Sequence, residues 1–228
     1  MLTLLRIALW TVGVPLEILV IWALSRGPYR RFLFVFAYSI ALFLSTLVEI
    51  AAYTTYTIGG RNVMRPWRDY YWINDVILYL LVSCVVISLI YQALGQARVR
   101  WRALALVILL LALVSAASFV YHYEPGARVT IWMTQVSRNL SFAAAILDFF
   151  LWMLLIAKRQ PDQTLLLVVG GLGIEGAAVA IGHALRQLSP ALAIPGGLVV
   201  ALGSLLRMYI WFQAFRPRAR TAWKHNTA

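Results

Sequence analysis

Seven runs of apolar residues alternate with short polar connectors along the chain, near residues 4–24, 32–56, 71–94, 103–122, 136–157, 164–186 and 191–215. About 20 apolar residues cross a hydrocarbon core of about 30 Å, and in that medium a helix satisfies its own backbone hydrogen bonds. The pattern therefore predicts an all-α fold, a polytopic membrane protein with seven transmembrane helices. Connectors this short leave one membrane domain over 1–215 and a short basic tail over 216–228. The first run is longer than the apolar core of a cleaved signal peptide, contains Glu17 and lacks a small-x-small site before Ser25, so it is expected to remain as the first helix.

Composition supports the pattern. The chain is 62% hydrophobic and only 12% charged, whereas a soluble domain carries about 25% charged residues. The net charge of +12 would suit nucleic acid, but its distribution points to the bilayer instead. Arg26, Arg30, Arg31, Arg98, Arg100, Arg102, Lys158, Arg159, Arg216, Arg218, Arg220 and Lys224 fall at one set of helix ends. Arg6, Arg61, Arg65, Arg68, Arg128, Arg138 and Arg186 fall at the other. The richer side is expected to be cytoplasmic, which sets the N-terminus outside and the C-terminus cytoplasmic. The expected partners are the lipid bilayer and anionic lipids at the cytoplasmic face, with no nucleic acid; the basic tail could also dock on an acidic protein partner.

Polar stripes run along several segments. Tyr38, Ser45, Glu49, Ala52 and Tyr56 share one helical face, as do Ser137, Ser141, Ala144, Asp148 and Trp152. In the 164–186 segment Gly171, Glu175, Ala178 and Gly182 align, and in the last segment Gly196, Gly203 and Arg207 do so. Small residues on one face let a neighbouring backbone approach closely, so packing is their ordinary role. Around the start of the third segment Trp67, Tyr70, Tyr71 and Trp72 are interleaved with Arg68, Asp69, Asn74 and Asp75. Such aromatics anchor helices at the membrane interface, or could line the mouth of an outward-facing pocket.

The candidate functional residues are the ionisable groups inside the apolar runs: Glu17, Glu49, Asp75, Asp148, Glu175, His183 and Arg207. A charge at the bilayer centre costs on the order of 3 kcal/mol or more, so these groups face a bundle interior and mark function. Counted at about 1.5 Å per residue, they form three layers. Glu17 and Arg207 lie in an inner layer and are expected to pair. Asp148 and Glu175 lie near the middle on neighbouring antiparallel helices, with no evident cation, so they are expected to lie close together and to share or bind a proton. Glu49, Asp75, Arg138 and His183 lie in the outer third, where the last two could satisfy the first two.

Several chemistries are set aside. The two lysines, Lys158 and Lys224, both lie outside the apolar runs, which excludes a retinal Schiff base of the ordinary kind. With His122, His183 and His225 alone, stacked bis-histidine haem ligation within one chain is not available. Cys84 is the single cysteine, so neither an intramolecular disulfide nor a thiolate metal cluster is expected. No HExxH, GxSxG or GxxxxGK(S/T) phosphate-loop motif occurs. No cofactor or metal is expected, and nothing speaks for an enzyme.

The Leu16–Glu17 step, the Tyr71–Trp72 start of the third segment and its Ile90–Tyr91–Gln92–Ala93–Leu94 end form one set of landmarks with two more. These are the glycine-rich 164–186 segment and the Tyr209–Ile210–Trp211–Phe212 end of the last one. Together they resemble a group of uncharacterised seven-helix bacterial inner-membrane proteins. That resemblance implies seven helices and a bacterial inner-membrane location, and brings no activity. Function is therefore expected from the buried groups: a small proton- or cation-linked transporter or channel using buried carboxylates. The alternative is a ligand-sensing or accessory membrane subunit that signals through a partner. A wetted cavity reaching Asp148 would favour transport, and a pocket closed below the outer third would favour sensing.

Overall fold

The computed structural model describes residues 2–27, 29–59, 64–94, 105, 109, 113, 117, 144–153, 155–156 and 162–216. Among them no strand occurs, and the regular elements are helices. They are α1 (Leu2–Arg26), α2 (Leu33–Gly59), α3 (Met64–Leu94), α4 (Ala144–Met153), α5 (Gln163–Leu188), a 3-10 turn (Pro190–Leu192) and α6 (Ala193–Phe215). Four stretches of the described residues are long and apolar enough to cross a membrane: Ile7–Arg26, Leu33–Thr55, Gln163–Arg186 and Ala193–Phe215. The apolar stretches of α3 and α4 are shorter, at Leu80–Ala93 and Ala144–Met153. The 103–122 run and the ends of 136–157 lie largely outside the described residues, as does the 217–228 part of the tail.

The helix limits follow from local chemistry. Asp162 is extended at the N-cap of α5, and its carboxylate accepts from the Thr164 and Leu165 amides at 3.0 and 3.3 Å, satisfying two of the donors a helix start leaves open. Pro190 follows the end of α5, where a proline cannot continue the helix, and the short turn sends α6 back alongside. The third helix starts earlier than its apolar run suggests, at Met64 rather than near 71, so Trp67–Tyr71 belong to the helix instead of preceding it. Pro66 sits in the first turn, where amides have no intrahelical acceptor and a missing N–H costs nothing.

The helices close a ring. α2 packs between α1 and α3, α1 meets α6, α6 meets α5, and α5 meets α3; α4 lies along α5, with Ala145 beside Gly176 and Trp152 beside Gly170. The α5–α6 hairpin is the tightest contact. A Cβ on Gly182 would come within 2.6 Å of the Gly196 carbonyl, and one on Gly203 would run into Ala178. The face Gly171–Glu175–Ala178–Gly182 thus receives α6, as small residues at that spacing allow. Buried Val20, Leu24, Phe32, Val35, Val85, Leu89, Val168 and Trp211 form the apolar core. The outer surface is also apolar, with Leu44, Leu80, Ile181, Leu202 and Leu206 exposed. An apolar exterior around an ion-containing interior suits lipid contact rather than water.

At the end of the bundle carrying Arg26 and Phe215, a polar clasp joins three helices. Arg31 pairs with Asp162 and donates to Gln92 Oε1 at 3.2 Å, while Gln92 donates to the Arg31 carbonyl at 2.9 Å. Partial burial would raise the Asp162 carboxyl, but the Arg31 guanidinium and the two capping amides outweigh it and hold the carboxyl below its ordinary range.

Candidate functional site

The deepest polar group is Arg207 on α6, only 1% exposed. Its Nη1 donates to Glu175 Oε2 at 2.5 Å and to the Tyr38 hydroxyl at 2.8 Å. The guanidinium lies over the Tyr38 and Trp211 rings, 5.2 and 5.0 Å from their centroids, where ring faces attract a cation. Ser204 donates to the other Glu175 oxygen at 3.1 Å, and the Trp211 indole donates to the Val168 carbonyl at 3.0 Å. Gly171 makes room for this stack, since a Cβ there would lie 2.9 Å from Trp211 Nε1.

This geometry corrects the expected partner of Arg207. No ion pair with Glu17 forms; the guanidinium reaches Glu175 instead, so the mid-depth carboxyls do have a cation. The height difference between Arg207 and Glu175 along their antiparallel helices is about 6 Å, which the long arginine side chain spans. Glu175 and Asp148 do line one common cavity of about 200 Å³, together with Tyr38, Leu42, Leu78 and Val82. They divide unequally, however. Glu175 takes the cation, while Asp148, 3% exposed, has no hydrogen-bond partner on either oxygen among the described residues. Its Oδ2 lies against Gly173, where a Cβ would come within 3.0 Å.

Glu17 on α1 is 4% exposed. One oxygen accepts from the Thr46 hydroxyl of α2 at 2.9 Å, and the other has no partner among the described residues. Glu17 stands on the wall of a second cavity of about 880 Å³ between α1, α2 and α6. Trp10, Glu49, Tyr53 and Arg186 line the part nearer the Ala193 end of α6, and Thr46, Ser204 and Met208 the deeper part. Trp10 and Tyr53 meet edge to face there, with centroids 5.4 Å apart. Asn74 of α3 donates to Ser45 on the same wall at 2.6 Å. Leu42 and Leu78 border both cavities. They form the apolar septum between Glu17 and the Asp148 chamber.

The remaining candidates are dispersed. Glu49 is exposed and lines the larger cavity, and His183 is half-buried on α5. Trp67, Tyr70, Tyr71, Trp72 and Asp75 lie on the first half of α3, but their side chains fall outside the described residues, as do Arg138, Ser137 and Ser141 entirely. Among the described residues no group of three or more His, Cys, Asp or Glu side chains could hold a metal ion. Thr46, Ser204 and Trp211 belong to the site although the charge pattern does not single them out. A hydroxyl inside an apolar run is a weak signal, because it can also satisfy itself on its own helix, as Thr46 does with the Leu42 carbonyl at 3.1 Å. The chain matches no protein-family model, no curated protein and no solved structure.

Proposed function

We propose that this protein is a small proton- or cation-linked membrane carrier whose working groups are the buried carboxyls Glu17 and Asp148. The observation that carries the reading is their incomplete bonding. Each is nearly sealed from solvent, each lines a cavity, and Glu17 Oε2 and both Asp148 oxygens lack partners among the described residues. Purely structural carboxyls in an apolar interior are tied down, as Glu175 is by Arg207 and Ser204. A carboxyl left open in such a medium takes up a proton or a cation and can release it again.

In this reading Glu49 stands near the mouth of the larger cavity, Glu17 at its depth and Asp148 beyond the Leu42–Leu78 septum. The Arg207–Glu175 pair supplies a fixed, neutral post between them. Seven transmembrane helices, with the Ala193 end of α6 outside and the basic ends at an anionic cytoplasmic leaflet of a bacterial inner membrane, would set this path across the bilayer. The test is a pH-jump flux assay in proteoliposomes containing wild type, Glu17→Gln or Asp148→Asn. Wild type should dissipate an imposed proton or cation gradient at least tenfold faster than either variant. Vesicles in which wild type moves neither ion, or both variants match it, would refute the carrier reading and favour a sensing subunit that binds without flux.

A further inference from the structure

We infer that the larger cavity is a binding site for a small organic cation with an apolar body, its ammonium group resting on Glu17. This names a substrate class for the carrier and rests on that reading. Three observations carry it. First, the cavity is large for a proton path: about 880 Å³ falls within the range that holds a drug-sized molecule, about 300–1,000 Å³. Second, its walls are mainly apolar, with Leu9, Leu198 and Leu205 among them, which suits an aliphatic or aromatic body and not a bare hydrated ion. Third, the deep end carries a carboxyl that is 4% exposed and has one oxygen without a partner among the described residues.

The charge balance selects the sign of the ligand. Arg207 is matched by Glu175 and donates to Tyr38, both from Nη1, while its Nε has no partner among the described residues; two carboxyls, Glu17 and Glu175, therefore stand near one deep cation. Glu17 Oε2 is itself covered, so an ammonium group would reach it by a turn of the Glu17 carboxylate toward the cavity that its residue lines, and a charge-assisted hydrogen bond of this kind is among the stronger ones. Arg207 also attracts the Glu17 carboxyl through space, but Glu175 already balances that cation, so a ligand anion would meet an excess of negative groups. Arg186 also lines the cavity, but it lies beside Gly197, about 10 Å along α6 from Ser204. It stands toward the mouth, where Glu49 shares the wall and the Trp10–Tyr53 ring pair offers aromatic surface to a cation.

The test is equilibrium binding to the full chain in phosphatidylcholine nanodiscs, with uptake by empty discs subtracted. Three probes of one shape are compared: 1-naphthylmethylammonium, 1-naphthylmethanol and 1-naphthoate. The ammonium should bind at least tenfold more tightly than the alcohol, and the naphthoate should not bind. Glu17→Gln should weaken the ammonium at least tenfold and leave the alcohol unchanged, while Leu205→Trp, which fills the cavity, should abolish binding of both. Alcohol or naphthoate binding equal to that of the ammonium would overturn the inference, and so would unchanged ammonium affinity in a folded Glu17→Gln protein. Should that variant fail to fold, the three-probe series on wild type still decides. Because no flux is read, a protein that binds the ammonium yet moves nothing would defeat the carrier reading and leave this site standing.

Discussion

Arg207 and Glu17 show how similar burial gives opposite roles. Arg207 is surrounded by groups that answer it: a carboxylate, a phenol and two ring faces. Removing one partner of such a pair strands a charge, at a cost of about 3–5 kcal/mol, whereas removing both strands none. Arg207→Met and Glu175→Gln should therefore each lower the thermal unfolding temperature in detergent more than the double variant does. Additive losses would show that the pair is not coupled. Glu17→Gln should cost less than about 1 kcal/mol, because the amide oxygen still accepts from Thr46 and no ion pair is lost. Asp162 behaves differently again, since its ligands favour the ionised form. Its carboxyl titrates lower in the folded chain than in the unfolded one. Its stabilisation is thus fully present above the ordinary aspartate value of about 3.9 and is lost as pH falls through the lower folded value. Unfolding temperature measured from pH 7 to pH 3 should fall in wild type by more than in Asp162→Asn; parallel curves would remove the clasp from the account.

Among the elements, the small-residue face of α5 is the most legible in sequence and the partner of Arg207 the least. Gly171, Glu175, Ala178 and Gly182 recur on one helical face, and small residues at that period have few uses other than a close neighbour. In the structure the short Ser189–Leu192 connection brings α6 onto that face. The Arg207 pairing was not legible, because depth counted along each helix cannot say how far a flexible guanidinium reaches or which neighbour it chooses. The start of α3 is not legible for another reason: Trp67, Arg68 and Asp69 read as an interfacial connector by composition, yet none of them forbids a helix, and Pro66 is tolerated in a first turn. The hairpin makes its own prediction. Gly203→Leu places a side chain where Ala178 already lies, and overpacking of this sort costs about 1–3 kcal/mol. It should also part Glu175 from Arg207 one turn away. Leu202→Ala, on the exposed face next to it, should leave the unfolding temperature nearly unchanged; equal losses from the two changes would mean that the α5–α6 contact does not hold the bundle.

At the scale of the whole molecule, burial and polarity are arranged for an apolar solvent. Leucines and isoleucines cover the outside, while the arginine and carboxyls lie within, between helices that close a ring. The two ends of that ring differ. One carries Arg26, Arg30, Arg31 and Arg216 near the clasp, and the other carries Arg186 beside the mouth of the larger cavity. Positive charge near the ends of membrane helices favours the cytoplasmic side, so the cavity that holds Glu17 should open away from the cytoplasm. Two exposed positions at opposite ends test this directly: Leu188 at the end of α5, 76% exposed, and Arg30 between α1 and α2. Each is changed to cysteine in a Cys84→Ser background, so that no other thiol is present. In intact cells a membrane-impermeant maleimide should label Leu188→Cys and spare Arg30→Cys until the membrane is permeabilised. The reverse labelling would turn the bundle over and place the mouth of the Glu17 cavity on the cytoplasmic side, making the proposed carrier load its cation from within.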